Sequence, residues 1–162
     1  MDKSVLKQAQ REFDRFLRSV PDRLQEIFET VNYDAALQKF KNARDPAPDW
    51  VASQVRSLRV KTRTIRAAVS DLAEALESRL TQYTEAGGDD PTRIAHARSE
   101  LLFLQKTLDE QAARAARLEL IRQSAVQLRE QEELLNSLSV EQLRQRIEQA
   151  ENAQQRGERH EE

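Results

Sequence analysis

The sequence contains no cysteine, and only three glycines and four prolines among 162 residues. Without cysteine there are no disulfides, iron–sulfur sites, thiolate zinc sites or thiol catalysis. So few glycines and prolines cannot furnish the many turns of a β-sandwich or barrel. No apolar run approaches the roughly 18 residues of a membrane span. The N-terminal stretch MDKSVLKQAQREFDRF lacks the apolar centre of a signal peptide. These features predict a cytoplasmic protein. Histidine is scarce as well, with His96 and His160 alone. His96 and Glu100, one helical turn apart, supply two metal ligands at most. Glycine-rich phosphate loops, Glu-x-x-His pairs and nucleophile–base arrangements are missing. The chain is therefore read as non-enzymatic, with no cofactor, no metal and no small-molecule substrate.

What the chain does have is helix-forming material. Ala, Glu, Lys, Leu and Arg supply about half of it and 33 % of residues are charged, with a net charge of −2. That composition marks long helices and coiled coils when the periodicity agrees. Residues 2–31 carry Leu6, Ala9, Phe13, Leu17, Val20, Leu24, Ile27 and Val31 at steps of mostly three and four, one face of a helix. Pro21 lies inside that pattern, which predicts a kink or a restart. Asp34 is placed to cap a short helix over residues 35–44. Residues 45–49 (Asp-Pro-Ala-Pro-Asp) read as a linker, because each proline drives its predecessor out of the α region. Asp49 is positioned to cap the next helix.

From Val51 the spacing becomes regular. Val51, Val55, Leu58, Thr62, Ile65, Val69, Leu72, Leu76, Arg79 and Tyr83 alternate steps of four and three. This is a coiled-coil seam in which only Thr62 and Arg79 are not apolar or aromatic. The helix is predicted over about 50–86. Gly87-Gly88-Asp89-Asp90-Pro91 ends it: Gly87 suits the left-handed C-terminal position, Asp90 caps, and Pro91 opens the next helix. A second helix over about 91–135 offers Ile94, Ala97, Leu101, Leu104, Leu108, Gln111 or Ala112, Ala115, Leu118, Ile121, Ala125, Leu128 and Leu135, with a poorer fit around Leu118–Ala125. So short a connection predicts an antiparallel hairpin. Facing residues then carry numbers that add to about 177, bringing Val51 near Val126 and Leu76 near Leu101. Ser139-Val140-Glu141-Gln142 reads as a capping box opening a short helix over 139–152, with Leu143, Ile147 and Ala150. Residues 153–162 read as a disordered charged tail.

The predicted fold is thus all-α: an elongated antiparallel coiled-coil hairpin (50–138) thickened by N-terminal helices (1–44) into a three- or four-helix bundle. Six of the eight aromatic residues fall in the first 50. Phe13, Phe16, Phe28, Phe40 and Trp50 therefore either fold onto the hairpin base or form a protein-docking face. Residues 1–50 balance nine basic against nine acidic groups, which speaks against a membrane-surface helix.

Charge is distributed unevenly along the rod. Residues 56–66 hold Arg56, Arg59, Lys61, Arg63 and Arg66 and no acid. The facing segment adds Arg114, Arg117 and Arg122 against Glu119. This belt is the candidate site for an acidic protein surface or another polyanion, unless Asp22, Glu26 and Glu29 neutralise it from within. The Ala112–Arg117 run of small side chains is either a thin, tightly packed section or a docking groove. The reading that follows is a coiled-coil adaptor, scaffold or assembly subunit binding protein partners, further copies of itself among them. The alternative is a nucleic-acid-binding module using the belt. No aromatic interleaves the belt, which weakens single-strand stacking.

Overall fold

A computed structural model describes residues 3–137 and 140–160. Within them the chain forms five helices: α1 (Lys3–Val31), α2 (Tyr33–Asn42), α3 (Pro48–Glu85), α4 (Pro91–Ser137) and α5 (Val140–His160). No strand occurs among the described residues. The proposed cap Ser139 lies outside them, as do the last two tail residues and the side chains of Leu135 and Leu143.

The hairpin forms as its spacing predicts. Gly87 takes φ 97°, and its N–H donates to the Thr84 carbonyl at 3.1 Å. Gly88 N–H donates to Tyr83 O at 2.9 Å. A Cβ on Gly88 would overlap the Tyr83 ring, so the turn needs a residue without a side chain there. Asp90 Oδ1 accepts from Thr92 N–H at 3.0 Å, the predicted cap at the start of α4. Two cross-helix ion pairs report the register, Arg59 with Glu119 and Asp49 with Arg129. Both sets of numbers add to 178, one residue from the expected value.

The seam is dry on the α3 side. Val55, Leu58, Ile65, Val69, Leu72 and Leu76 are all buried, and Thr62 joins them with its hydroxyl donated to Arg59 O at 2.8 Å. That local bond removes the cost of sinking a hydroxyl into the seam. On α4 the buried line is Ala97, Leu104, Thr107, Gln111, Leu118 and Ala125. Thr107 was not expected; its hydroxyl donates to Phe103 O, which makes it burial-competent. Gln111, not Ala112, takes the alternative position.

Ile121 and Leu128 depart from expectation. They are 39 % and 57 % exposed. From Gln111 onward the buried residues recur every seven, and Ile121 and Leu128 sit one flank away from that line. The N-terminal helices end short of Leu128.

α1 runs antiparallel to α3 and in the same direction as α4. Phe13 stacks on Tyr83 with ring centres 5.1 Å apart, next to the hairpin turn. Glu12 pairs with Arg79 at 3.2 Å and Asp14 with Arg93 at 2.9 Å. Arg79, the charged seam position, is thus turned toward α1 and satisfied there. Phe13, Leu17 and Val20 complete one continuous core with both hairpin helices. The bundle is three helices thick.

Several local details differ from the sequence expectation. Of the kink and the restart expected at Pro21, the restart does not occur: α1 continues through it, and Pro21 stands on the exposed face. α2 begins at Tyr33, not at 35. Its cap is Asn32, held left-handed at φ 55° with no side-chain capping bond, so Asp34 lies in the first turn instead. Asparagine tolerates that conformation better than most residues. α3 starts at Pro48 with Ala47 as cap, which leaves Asp49 inside the first turn. α5 continues through His160 where a disordered tail was expected from 153. Gln, Glu, Arg and Ala are good helix formers, and Gly157 alone does not stop the run.

Truncating a seam residue should be costly and truncating an outward one should not. Leu76→Ala, at a fully buried site, is expected to lower unfolding free energy by about 2–5 kcal/mol in a urea titration. Leu102→Ala, at a 72 % exposed site, should stay within about 0.5 kcal/mol of wild type. Gly88→Ala should also destabilise, with the Phe13–Tyr83 stack perturbed in near-ultraviolet circular dichroism.

Candidate polyanion and protein interface

Helix α3 presents the basic segment because its apolar seam fixes the rotation of the helix. With Leu58, Thr62 and Ile65 turned inward, Arg56, Arg63 and Arg66 are exposed, and none has a carboxylate partner among the described residues. Arg59, on the same stripe, leans across the seam. Its Nη1 lies 2.6 Å from Glu119 Oε2. Arg122 grips the same carboxylate from one turn further, with Nη2 to Oε1 at 2.6 Å. Glu119 is therefore shared by two guanidinium groups. The Arg122 hydrogen bonds, with the charges of Arg122 and Arg59 behind them, hold its carboxyl below the usual glutamate range despite some desolvation.

The other predicted belt residues point elsewhere. Lys61 Nζ donates to the Val31 carbonyl at 2.8 Å, the last residue of α1. A cation there complements the negative end of the helix dipole. Arg114 lies over the Tyr33 ring, 5.1 Å from its centre, a cation–π contact. Burial raises the Tyr33 hydroxyl pKa, and the positive charges of Arg114 and Arg117 oppose that rise. The eight basic residues are thus not one belt. Lys61, Arg114 and Arg117 gather around the α1–α2 corner, and Lys61 and Arg114 are committed to contacts there. Arg59 and Arg122 meet on Glu119, and Arg56, Arg63 and Arg66 continue the Arg59 stripe along α3 as a separate flank.

The internal neutralisation considered for Asp22, Glu26 and Glu29 does not occur among the described residues. All three are exposed, and Glu29 instead accepts from Gln25 Nε2 at 2.9 Å. The acids of α1 that reach the hairpin are Glu12 and Asp14, well away from the basic segment.

The candidate docking aromatics are mostly part of the bundle. Phe13 is fully buried against Tyr83 and offers no surface to a partner. Phe16 and Phe28 are half-buried against the core, and Arg23 covers the Phe16 ring at 4.9 Å. Phe40 and Trp50 stack with centres 6.0 Å apart and join α2 to the start of α3. Between α1 and α3 remains a groove of about 470 Å³ floored by Phe16, Ile27, Ala68 and Leu72, with Glu26 and Asp71 at its rim. Ala112 and Ala115 are half-buried, while Ala113 and Ala116 are exposed.

Sequence reasoning did not single out the outer face of α4. Leu102, Phe103 and Leu120 stand 72 %, 52 % and 63 % exposed there. Their mark in the sequence is that they are large apolar residues outside the seam spacing. Among the described residues no three acidic or histidine side chains gather closely enough to hold a metal ion. No described helix is long and apolar enough to cross a membrane. Comparison with known protein families, curated proteins and solved structures finds no match.

The depressed Glu119 carboxyl has a definite pH consequence. Its folded pKa lies below the unfolded one, so its contribution to stability is complete above the ordinary glutamate range of about 4.3. That contribution is lost as pH falls through the lower folded value. An NMR titration of the Glu119 side chain should show the low midpoint, and Arg122→Ala should move it upward.

Proposed function

We propose that this protein is a non-enzymatic helical adaptor or assembly subunit that works by binding other proteins along its helix faces, in the cytoplasm. The observation that carries the reading is surface. The chain exposes 12050 Å². A compact monomer of its 18.7 kDa mass exposes about 8,300 Å². The difference, about 3,800 Å², is roughly twice what a standard two-protein interface removes from water. Large apolar side chains stand on that surface at Leu102, Phe103 and Leu120, on the rigid face of a long helix. Leu102 and Phe103 are adjacent and form one exposed apolar point, and Leu120 stands about 27 Å further along the helix as a second.

The basic flank favours a second reading. Arg56, Arg63 and Arg66 recur along α3 with no counter-ion among the described residues, which suits an acidic protein surface or a nucleic-acid backbone. The shortage of aromatics in that flank supports backbone contact over base stacking.

The two readings separate experimentally. Tagged full-length protein, cross-linked in its native host, should retain a defined set of proteins. Leu102→Ser/Phe103→Ser/Leu120→Ser should release at least one of them at physiological salt. If no protein is retained above background, the adaptor reading fails. Duplex DNA binding that weakens steeply with salt and disappears in Arg56→Glu/Arg63→Glu/Arg66→Glu would then establish the nucleic-acid reading.

A further inference from the structure

The third-helix position of the bundle is filled over only part of its length. α1 and α2 run beside α4 with a numbering offset of about 80, as Asp14 with Arg93 and Tyr33 with Arg114 show. α2 ends at Asn42, so nothing from the N-terminal segment lies beside α4 beyond about residue 122. The exposed stripe on α4 begins at that point. Ile121 and Leu128 are one heptad apart on a single flank, 39 % and 57 % exposed, with Glu132 next on the same face. α3 also runs out, since its first residue, Pro48, stands opposite about residue 130 in the register of Asp49 with Arg129. The last turns of α4 therefore lack both neighbours.

α5 is the complementary element. Every described side chain on it is exposed, and among the described residues it makes no extensive packing with another helix. Ile147, 58 % exposed, and Ala150 lie on one face, flanked by Arg144 and Arg146. A solitary amphipathic helix of 21 residues is marginal in water and draws most of its stability from packing.

We propose that the first turns of α5 (residues 140–152) of a second copy of this chain occupy the vacant position beside α4, antiparallel to it, and that the exchange is reciprocal. Placing Ile147 against Leu128 brings Arg144 next to Glu132, so the exposed apolar residues meet and the acid of that flank meets a cation. The arrangement continues an interface the chain already has, because α5 extends the line that α1 and α2 begin. A two-fold pair also satisfies both arms at once, which is how isologous dimers close. A fold-back of α5 onto the stripe of its own chain would leave the protein monomeric, so the oligomeric state separates the two arrangements.

This inference names one partner for the assembly role and rests on that role. The absence of native cysteine makes its test direct. Full-length protein should be a dimer of about twice 18.7 kDa by light scattering at micromolar concentration. The double variant Leu128→Cys/Ile147→Cys should oxidise to a covalent dimer on a non-reducing gel. Leu128→Glu and Ile147→Glu should each weaken the dimer by about tenfold or more. Both residues lie outside the core, so the thermal transition of the three-helix body should be preserved. A monomeric wild type, an oxidised double variant that stays monomeric, or a dimer indifferent to both glutamate variants overturns the proposal. A monomer that still retains host proteins through Leu102, Phe103 and Leu120 would reject this pairing and leave the adaptor role standing.

Discussion

Gly87 turns left-handed and Gly88 leaves room for the Tyr83 ring, and with those two residues α3 and α4 are brought side by side in one register. Every cross-helix contact inherits that register. It sets Arg59 against Glu119 and Asp49 against Arg129, and it aligns Val55 through Leu76 with Ala97 through Ala125. It also holds Tyr83 where Phe13 can stack upon it, which anchors the first helix at the turn end. A different turn length would rotate or shift one helix, and the seam, the flank and the docking of α1 would change together.

Burial of apolar area along this seam is the principal favourable term in folding. The ion pairs contribute less, because most are at least a quarter exposed and solvent screens them. Their effect is on geometry. Glu119 joins Arg59 of one helix to Arg122 of the other, and Arg93 ties α4 to α1 through Asp14. Lys61 holds the α1 terminus at Val31, and Arg114 covers Tyr33. Half of the basic residues that stand out in the sequence thus work within the bundle. Arg56, Arg63, Arg66 and Arg117 are left toward solvent.

The body is packed at the turn end and bare at the other. Near Gly87 and Gly88 three helices share one core. Toward the far end α2 stops, then α3 begins its loop, and α4 continues with Leu128 exposed and α5 beyond it. This gradient is what gives the molecule far more surface than its mass requires, and it is the physical basis for reading it as one part of a larger assembly.

Helix class, the hairpin and its register were legible from the chain alone, because alternating three- and four-residue spacing has one low-energy solution and a Gly-Gly-Asp-Asp-Pro run stops one helix and starts another. The partners of individual charges were not legible. Arg59 and Lys61 are two residues apart, yet one meets a carboxylate of α4 and the other a carbonyl of α1, since 200° of helix rotation separates them. Nor does periodicity say where a seam loses its neighbour: Leu128 fits the pattern but lies beyond the reach of α2. Spacing along one helix determines which face is apolar. Only the lengths and placement of the other helices decide whether that face is covered.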